Sequence, residues 1–275
     1  MSSYKKERKR PVIRKPRKPT FELLALDATE PRFPEAHPKY KNFKRDLGIT
    51  QSGFNGEKSV DYYLENISNS PTSYLYHNLR LPASQTAFQM DTLLVTPYYL
   101  MIIEIKNWGG ASLEFNEETK QVRQIYHDGR KEVHDDPVLQ VKTQRKKLLV
   151  MLKKYGLSYI PVEYGVVMSN KNPEIIFSEG YKETDRVFRS TYLDYFLVEM
   201  DKKYTEKKLC IEKLTQLDQI FLNSHQERPF NVLEKYDLEK NQLLKGILCT
   251  ECITPTSMYR AQRSWKCPKC HFRSN

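Results

Sequence analysis

The sequence has no long apolar run. Its most continuous one, residues 93–103, contains Thr96 and Pro97 and stops at Glu104, far short of the roughly 20 residues a spanning helix requires. A membrane-spanning helix is excluded, and the run is expected to be core. No apolar segment follows the charged N-terminus, so no signal peptide is expected and the expected location is cytoplasmic. Cysteine is scarce, with five in 275 residues. Four of them form two close pairs near the C-terminus, which in a reducing compartment points to metal rather than disulfides. There is no internal repeat, and no low-complexity tract beyond a basic tail. What is present is 39% apolar residues with 18 Tyr and 12 Phe, enough for a sizeable core. The length suits one large domain and a small appendage.

The net charge of +11 is unevenly placed. Residues 1–20 carry nine basic side chains (Lys5, Lys6, Arg8, Lys9, Arg10, Arg14, Lys15, Arg17, Lys18) against Glu7 alone. Residues 246–275 carry five (Arg260, Arg263, Lys266, Lys269, Arg273) against Glu251. The 225 residues between them are close to neutral. Two positive ends suggest contact with a polyanion, because each Lys or Arg that neutralises a phosphate releases condensed counterions. A tail punctuated by Pro11, Pro16 and Pro19 is equally read as a disordered, solubilising extension.

Along the body, Pro31, Pro34 and Pro38 are too closely spaced for a long helix, so 21–50 read as an irregular strap. From Gly53 onward Val60, Leu64 and Ile67 recur at helical spacing, with Glu57 on the buried side. Strand composition follows at 73–81, 87–95, 100–106, 111–115 and 121–126. Pro137, behind Asp135 and Asp136, opens a long helix to Tyr155. Further strands are expected at 162–168, 174–177 and 186–189, then helices at 192–200 and 205–223. In the last, Cys210, Leu214, Leu217 and Phe221 form a stripe that marks Cys210 as core. Residues 225–245 read as a linker. His77, His127 and His134 occupy no position that marks a general base and read as surface or packing residues.

Strand alternation places Glu104 and Lys106 on one face of a segment that is apolar on both, as in a central strand. A carboxylate there is costly unless a partner or a cation compensates it. Lys106 is one partner, and Asp91, on the adjacent strand, is another acid with the same difficulty. Two acids and a lysine at a buried sheet edge suit a hard divalent cation such as Mg²⁺ or Mn²⁺, which takes oxygen ligands and keeps waters. The lysine would stabilise charge developing on phosphorus or orient the attacking water. An ordinary salt bridge at a strand end is the plainer reading of Glu104 and Lys106 alone.

Four blocks occur in order: Gly53-Phe54-Asn55-Gly56-Glu57; Gln89-Met90-Asp91-Thr92-Leu93-Leu94-Val95; Ile102-Ile103-Glu104-Ile105-Lys106-Asn107-Trp108-Gly109-Gly110; and Asp136-Pro137-Val138-Leu139-Gln140. Together they resemble the nuclease-related domain (NERD) family of the PD-(D/E)XK superfamily, over about residues 50–170. The resemblance implies a restriction-endonuclease-like mixed sheet flanked by helices. It also implies a metal-and-lysine core of Asp91, Glu104 and Lys106, with Glu57 as the helical acid and Gln140 as the helix-borne glutamine. Thr92 stands where the family often carries His.

Cys249-Thr250-Glu251-Cys252 and Cys267-Pro268-Lys269-Cys270 make two C-x-x-C knuckles separated by 14 residues, slightly under the usual spacing of a four-thiolate zinc ribbon. Thirty residues bury too little apolar surface to fold alone, so Zn²⁺ would supply the missing stabilisation. Four thiolates leave no open position, which makes the zinc structural. Tyr259, Arg260, Arg263, Trp265 and Lys266 between the knuckles suit stacking on bases and contact with phosphates. They equally suit packing of the ribbon or docking of a partner protein.

The expected molecule is an α/β protein with a basic disordered tail (1–20), a nuclease-related domain with a helical extension (21–224, core 50–170), a linker (225–245) and a zinc ribbon (246–275). Its expected function is metal-dependent hydrolysis of phosphodiester bonds in nucleic acid, DNA ahead of RNA. The alternatives are a catalytically silent nucleic-acid-binding module and a zinc-ribbon scaffold.

Overall fold

A computed structural model describes residues 10–65, 67, 73–84 and 86–274. In chain order the elements are β1 (Val12–Lys15), α1 (Phe21–Thr29), α2 (Tyr40–Glu65), β2 (Tyr74–Ala83), β3 (Thr86–Val95), β4 (Leu100–Lys106), β5 (Ser112–Asn116), β6 (Gln121–Ile125) and β7 (Lys131–Asp135). Then come α3 (Pro137–Lys154), β8 (Val162–Met168), β9 (Glu174–Phe177), β10 (Val187–Arg189), α4 (Leu193–Lys203), α5 (Ile211–Ser224), α6 (Val232–Lys235), β11 (Tyr259–Ala261), β12 (Ser264–Lys266) and β13 (Arg273–Ser274). The chain forms two compact units, one of residues up to 18 with 52–226, the other of 19–51 with 227 onward.

In the first unit a mixed six-stranded sheet runs in the order β1-β2-β3-β4-β8-β10. β2, β3 and β4 are an antiparallel meander, and α3 carries the chain across to β8, which pairs parallel to β4. β4 is central, as its two apolar faces predict. Leu100 and Ile102 face a core shared with Val141, Leu148 and Leu152 of α3 and Leu214, Leu217 and Phe221 of α5. Met101, Ile103 and Ile105 face the opposite core with Val60 and Leu64 of α2 and Phe196 and Leu197 of α4. A second sheet, β7-β6-β5-β9, lends Leu113, Phe115 and Val122 to the α3 side. The fold is thus a mixed sheet flanked by helices.

Several expectations are corrected. Residues 10–18 are not a disordered tail: β1 pairs parallel with β2, and Arg14 grips Asp218 of α5 through Nε (2.9 Å) and Nη2 (2.5 Å). A four-residue strand amid basic residues carries no periodic signal, and its order comes from that pairing and that ion pair. Lys5, Lys6, Arg8 and Lys9 lie outside the described residues. The strap is helical, because Pro31, Pro34 and Pro38 fall between α1 and α2 and punctuate them, and Thr20 caps α1 through its hydroxyl to the Leu23 N–H (3.2 Å). Cys210 is the exposed N-cap of α5, while Leu209 is buried. The buried stripe of α5 begins one turn later, at Leu214.

The second unit has its own core. Leu26, Phe33 and Phe43 pack with Tyr236 and Leu238, and the Tyr236 hydroxyl donates to Asp46 (3.0 Å). The expected linker is therefore partly core. Apolar residues at 230, 232, 233, 236 and 238 read as scattered because their partners are some 200 residues away. The ribbon strands β11, β12 and β13 form an antiparallel sheet beside the four paired cysteines.

Candidate active site

The site lies where β3 and β4 part. Their ladder runs to Thr92 opposite Ile103, and continuing that register places Asp91 across from Glu104, side chains on one face. Beyond this point β4 pairs only with β8, and the Asp91 carboxylate takes over: its Oδ2 accepts the Ile105 backbone N–H at 2.9 Å. On the other side of β3, Asn78 interrupts the β2 ladder with φ of +51°, a left-handed conformation in mid-strand. Strain of this kind is found where backbone must yield to a site.

Glu104 is buried, at 1% exposure, and collects three donors. Lys106 Nζ (2.7 Å) and Gln140 Nε2 (2.6 Å) reach its Oε1, and Gln144 Nε2 (2.8 Å) reaches its Oε2. Lys106 also donates to Gln140 Oε1 (3.0 Å). Gln140 and Gln144 are one helical turn apart on α3, which Asp136 starts by accepting the Val138 N–H (2.8 Å).

Glu57 arrives from α2, whose approach depends on Gly56. A Cβ there would stand 2.3 Å from Asn107 Cβ and 2.9 Å from Ser169 Oγ, contacts no side chain tolerates. Asn107 holds the helix in place, donating to the Ser52 carbonyl (2.9 Å) and accepting from Ser169 Oγ (3.2 Å). The second glycine of the first block is thus the residue that lets α2 come near β4.

The electrostatics are those of a charge-deficient cleft. Burial, then repulsion from Glu104 and Glu57, raises the Asp91 carboxyl well above its ordinary range. Burial also raises Glu57, against the pull of an arginine, Arg17. Burial alone would lower Lys106, but Glu104 and Asp91 outweigh it and hold its pKa up, so its ammonium stays charged. Trp108 lies beside this lysine, ring centroid 5.9 Å from Nζ, and is stacked at 4.5 Å on His134. Burial lowers the pKa of His134, which bonds Gln124 (2.7 Å).

The expected residues Asp91, Glu104, Lys106 and Gln140 are therefore brought together, with Glu57 close enough to repel Asp91. The three carboxylates do not converge fully: among the described residues, only the four cysteines have donor atoms all within 4.8 Å of one another. Sequence reasoning missed Gln144, which its i+4 spacing from Gln140 signals. It also missed Arg17, for which no local signal exists; His77 is a packing residue, one of the two roles expected of it, buried and bonded to Arg17. His127 is exposed, as expected.

The donor set suits a hard divalent cation. Around the cleft, the carboxyls of Glu57, Asp61, Asp91 and Glu104 outnumber the cations bonded to them, Arg17 and Lys106. A single carboxylate offers about four acceptor positions, of which Glu104 uses three. Gln144 Oε1 is buried with no hydrogen-bond partner among the described residues, and the waters of a hydrated cation are donors.

In the ribbon, Cys249 Sγ lies 3.5 Å from Cys270 Sγ, and Cys252 Sγ 3.6 Å from Cys267 Sγ. Four sulfurs about 2.3 Å from a tetrahedral zinc stand about 3.8 Å apart, so the cluster has nearly the required size. Burial pushes the Cys267 thiol up, but backbone N–H groups of Cys270 and Lys269 donate to its sulfur and bring it down to about 6. Met258, Trp265 and Phe272 pack around the cysteines, and Arg260 lies 5.5 Å from the Trp265 ring centroid.

The class that the fold defines is an α/β domain with a mixed sheet flanked by helices, opening around an acidic pair and a lysine. The nuclease-related domain (NERD) family model matches residues 52–169, from the middle of α2 to just past β8. Comparison with curated proteins and with solved structures gives no match.

Proposed function

We propose that the protein is a metal-dependent nuclease that hydrolyses phosphodiester bonds, with DNA the preferred substrate, and that the ribbon holds a structural Zn²⁺. The reading rests on one observation above all: Asp91 and Glu104 share a face where β3 and β4 separate, with Lys106 bonded to the same Glu104 oxygen that Gln140 reaches. Asp91 and Glu104 would hold Mg²⁺ or Mn²⁺, which supplies a Lewis acid and an ionised water when bound. Lys106, kept charged by its acidic neighbours, stabilises the charge that develops on the phosphoryl oxygens. Gln140 and Gln144 fix the rotamer of Glu104 from the helix side, and the backbone N–H of Ile105 fixes that of Asp91. Glu57 adds negative charge from the helix.

The ribbon brings Arg260, Arg263, Lys266 and Arg273, which would raise affinity for the polyanion without reading sequence, since phosphate contacts position but do not specify. The test is incubation of the full chain with plasmid, single-stranded DNA and RNA, with Mg²⁺, Mn²⁺ or chelator. Cleavage is expected with metal only, and Asp91→Ala or Lys106→Ala should reduce it at least about a hundredfold. Cleavage undiminished in both variants would reject this site. Binding without cleavage under any metal would leave a silent nucleic-acid-binding module.

A further inference from the structure

Arg17, two residues beyond β1, drives its guanidinium into the acidic cleft. Its side chain is 4% exposed. Nε donates to both oxygens of Asp61 (3.0 Å each), and Nη1 donates to Glu57 Oε2. Nη1 also reaches Asn78 Oδ1 and the Asp91 carbonyl, both at 3.5 Å. Nη2 meets His77 Nδ1 and Thr92 Oγ1, both at 3.0 Å. The guanidinium is planar and is held on every edge.

We propose that Arg17 takes the place of a second cation, so that the acidic site holds a single divalent ion; the proposal rests on the metal-centre reading above. Hydrolytic sites with two ions need a carboxylate set that gathers both, about 3.5–4 Å apart. Here the helical acid that would complete such a set is committed to Arg17, and the carboxylates of Glu57, Asp91 and Glu104 do not all lie within 4.8 Å of one another. Arg17 contacts Glu57 and the backbone of Asp91 together, so it spans the gap between the helical acid and the strand acid. With Glu57 and Asp61 paired to Arg17, Asp91 and Glu104 are left, beside Lys106, to hold one ion. Arg17 thereby supplies the electrostatic part of a second ion's role, pulling Glu57 away from the metal position.

The test is titration of zinc-loaded, full-length protein with Mn²⁺, free ion being read by electron paramagnetic resonance. One Mn²⁺ per chain is expected, absent in Asp91→Ala. Arg17→Gln should bind a second, and Arg17→Gln with Glu57→Gln should return to one. Glu57→Gln alone should keep one ion, with affinity reduced less than about tenfold. Two Asp91-dependent ions in the unaltered protein, or one ion in a folded Arg17→Gln variant, would overturn the inference and leave the metal-centre reading standing. No bound Mn²⁺ in the unaltered protein would overturn that reading itself. Should Arg17→Gln fail to fold, the unaltered stoichiometry and the Glu57→Gln affinity still decide: a fall beyond about a hundredfold would make Glu57 a ligand and sink the proposal.

Discussion

His77 illustrates how a single residue acquires meaning only from its neighbours. It stands on β2 opposite Thr92, 2% exposed, and burial first, then Arg17 and Lys15, push its pKa down to about 3. Its neutral ring presents Nδ1 to the Arg17 guanidinium, so protonation would set cation against cation. In the unfolded chain His77 titrates near 6.5. Its contribution to stability is therefore complete above about 6.5 and is lost progressively as pH falls toward 3, because only the unfolded chain takes up the proton. Urea midpoints measured from pH 7 to pH 4 should fall more steeply for the unaltered protein than for His77→Gln, which keeps an acceptor for Arg17 but does not titrate. Equal slopes would contradict this account. Gln144 shows the opposite case: its helical spacing from Gln140 was legible in the sequence, and only the buried carboxylate it bonds gives it a role.

At the scale of elements, α3 was legible almost to the residue because its signals are local: a capping Asp136, Pro137 in the first turn, and an apolar stripe through Val141, Leu148 and Leu152. The cap does double work, since Asp136 is buried and its second oxygen accepts from the Tyr181 hydroxyl (2.7 Å). Asp136→Ala should cost about 2–3 kcal/mol in chemical denaturation, from a lost cap and a stranded hydroxyl. Because Gln140 lies in the first turn, cleavage should weaken as well. A loss under about 0.5 kcal/mol would mean that neither bond matters. β1 was illegible for the converse reason. Four residues with Val12 and Ile13 largely exposed bury no stripe, and the strand exists through its ladder to β2 and the Arg14–Asp218 ion pair. Two of the basic residues that the composition assigned to a polyanion-binding tail, Arg14 and Arg17, are thus committed to carboxylates within the fold.

For the molecule as a whole, the five cysteines divide into Cys210, exposed and outside the cluster, and a cluster of four. If the cluster holds zinc, iodoacetamide should modify Cys210 rapidly and the other four only after chelation, with one zinc released per chain. Rapid modification of all five before chelation would argue against a bound metal. Since the first unit has its own core, its unfolding transition should persist after chelation. The sequence by itself determined the central strand with its buried acid and lysine, the helix that bears the glutamines and the paired knuckles. Each of these is written in contiguous residues, where period and spacing alone carry the pattern. Only the tertiary structure decided that Asp91 faces Glu104, that residues 230–238 belong to a core with residues 26–43, and that Arg17 enters the cleft. Those facts depend on strand register and on contacts between segments far apart in the chain, which the free energy of the assembled fold selects and no local window records.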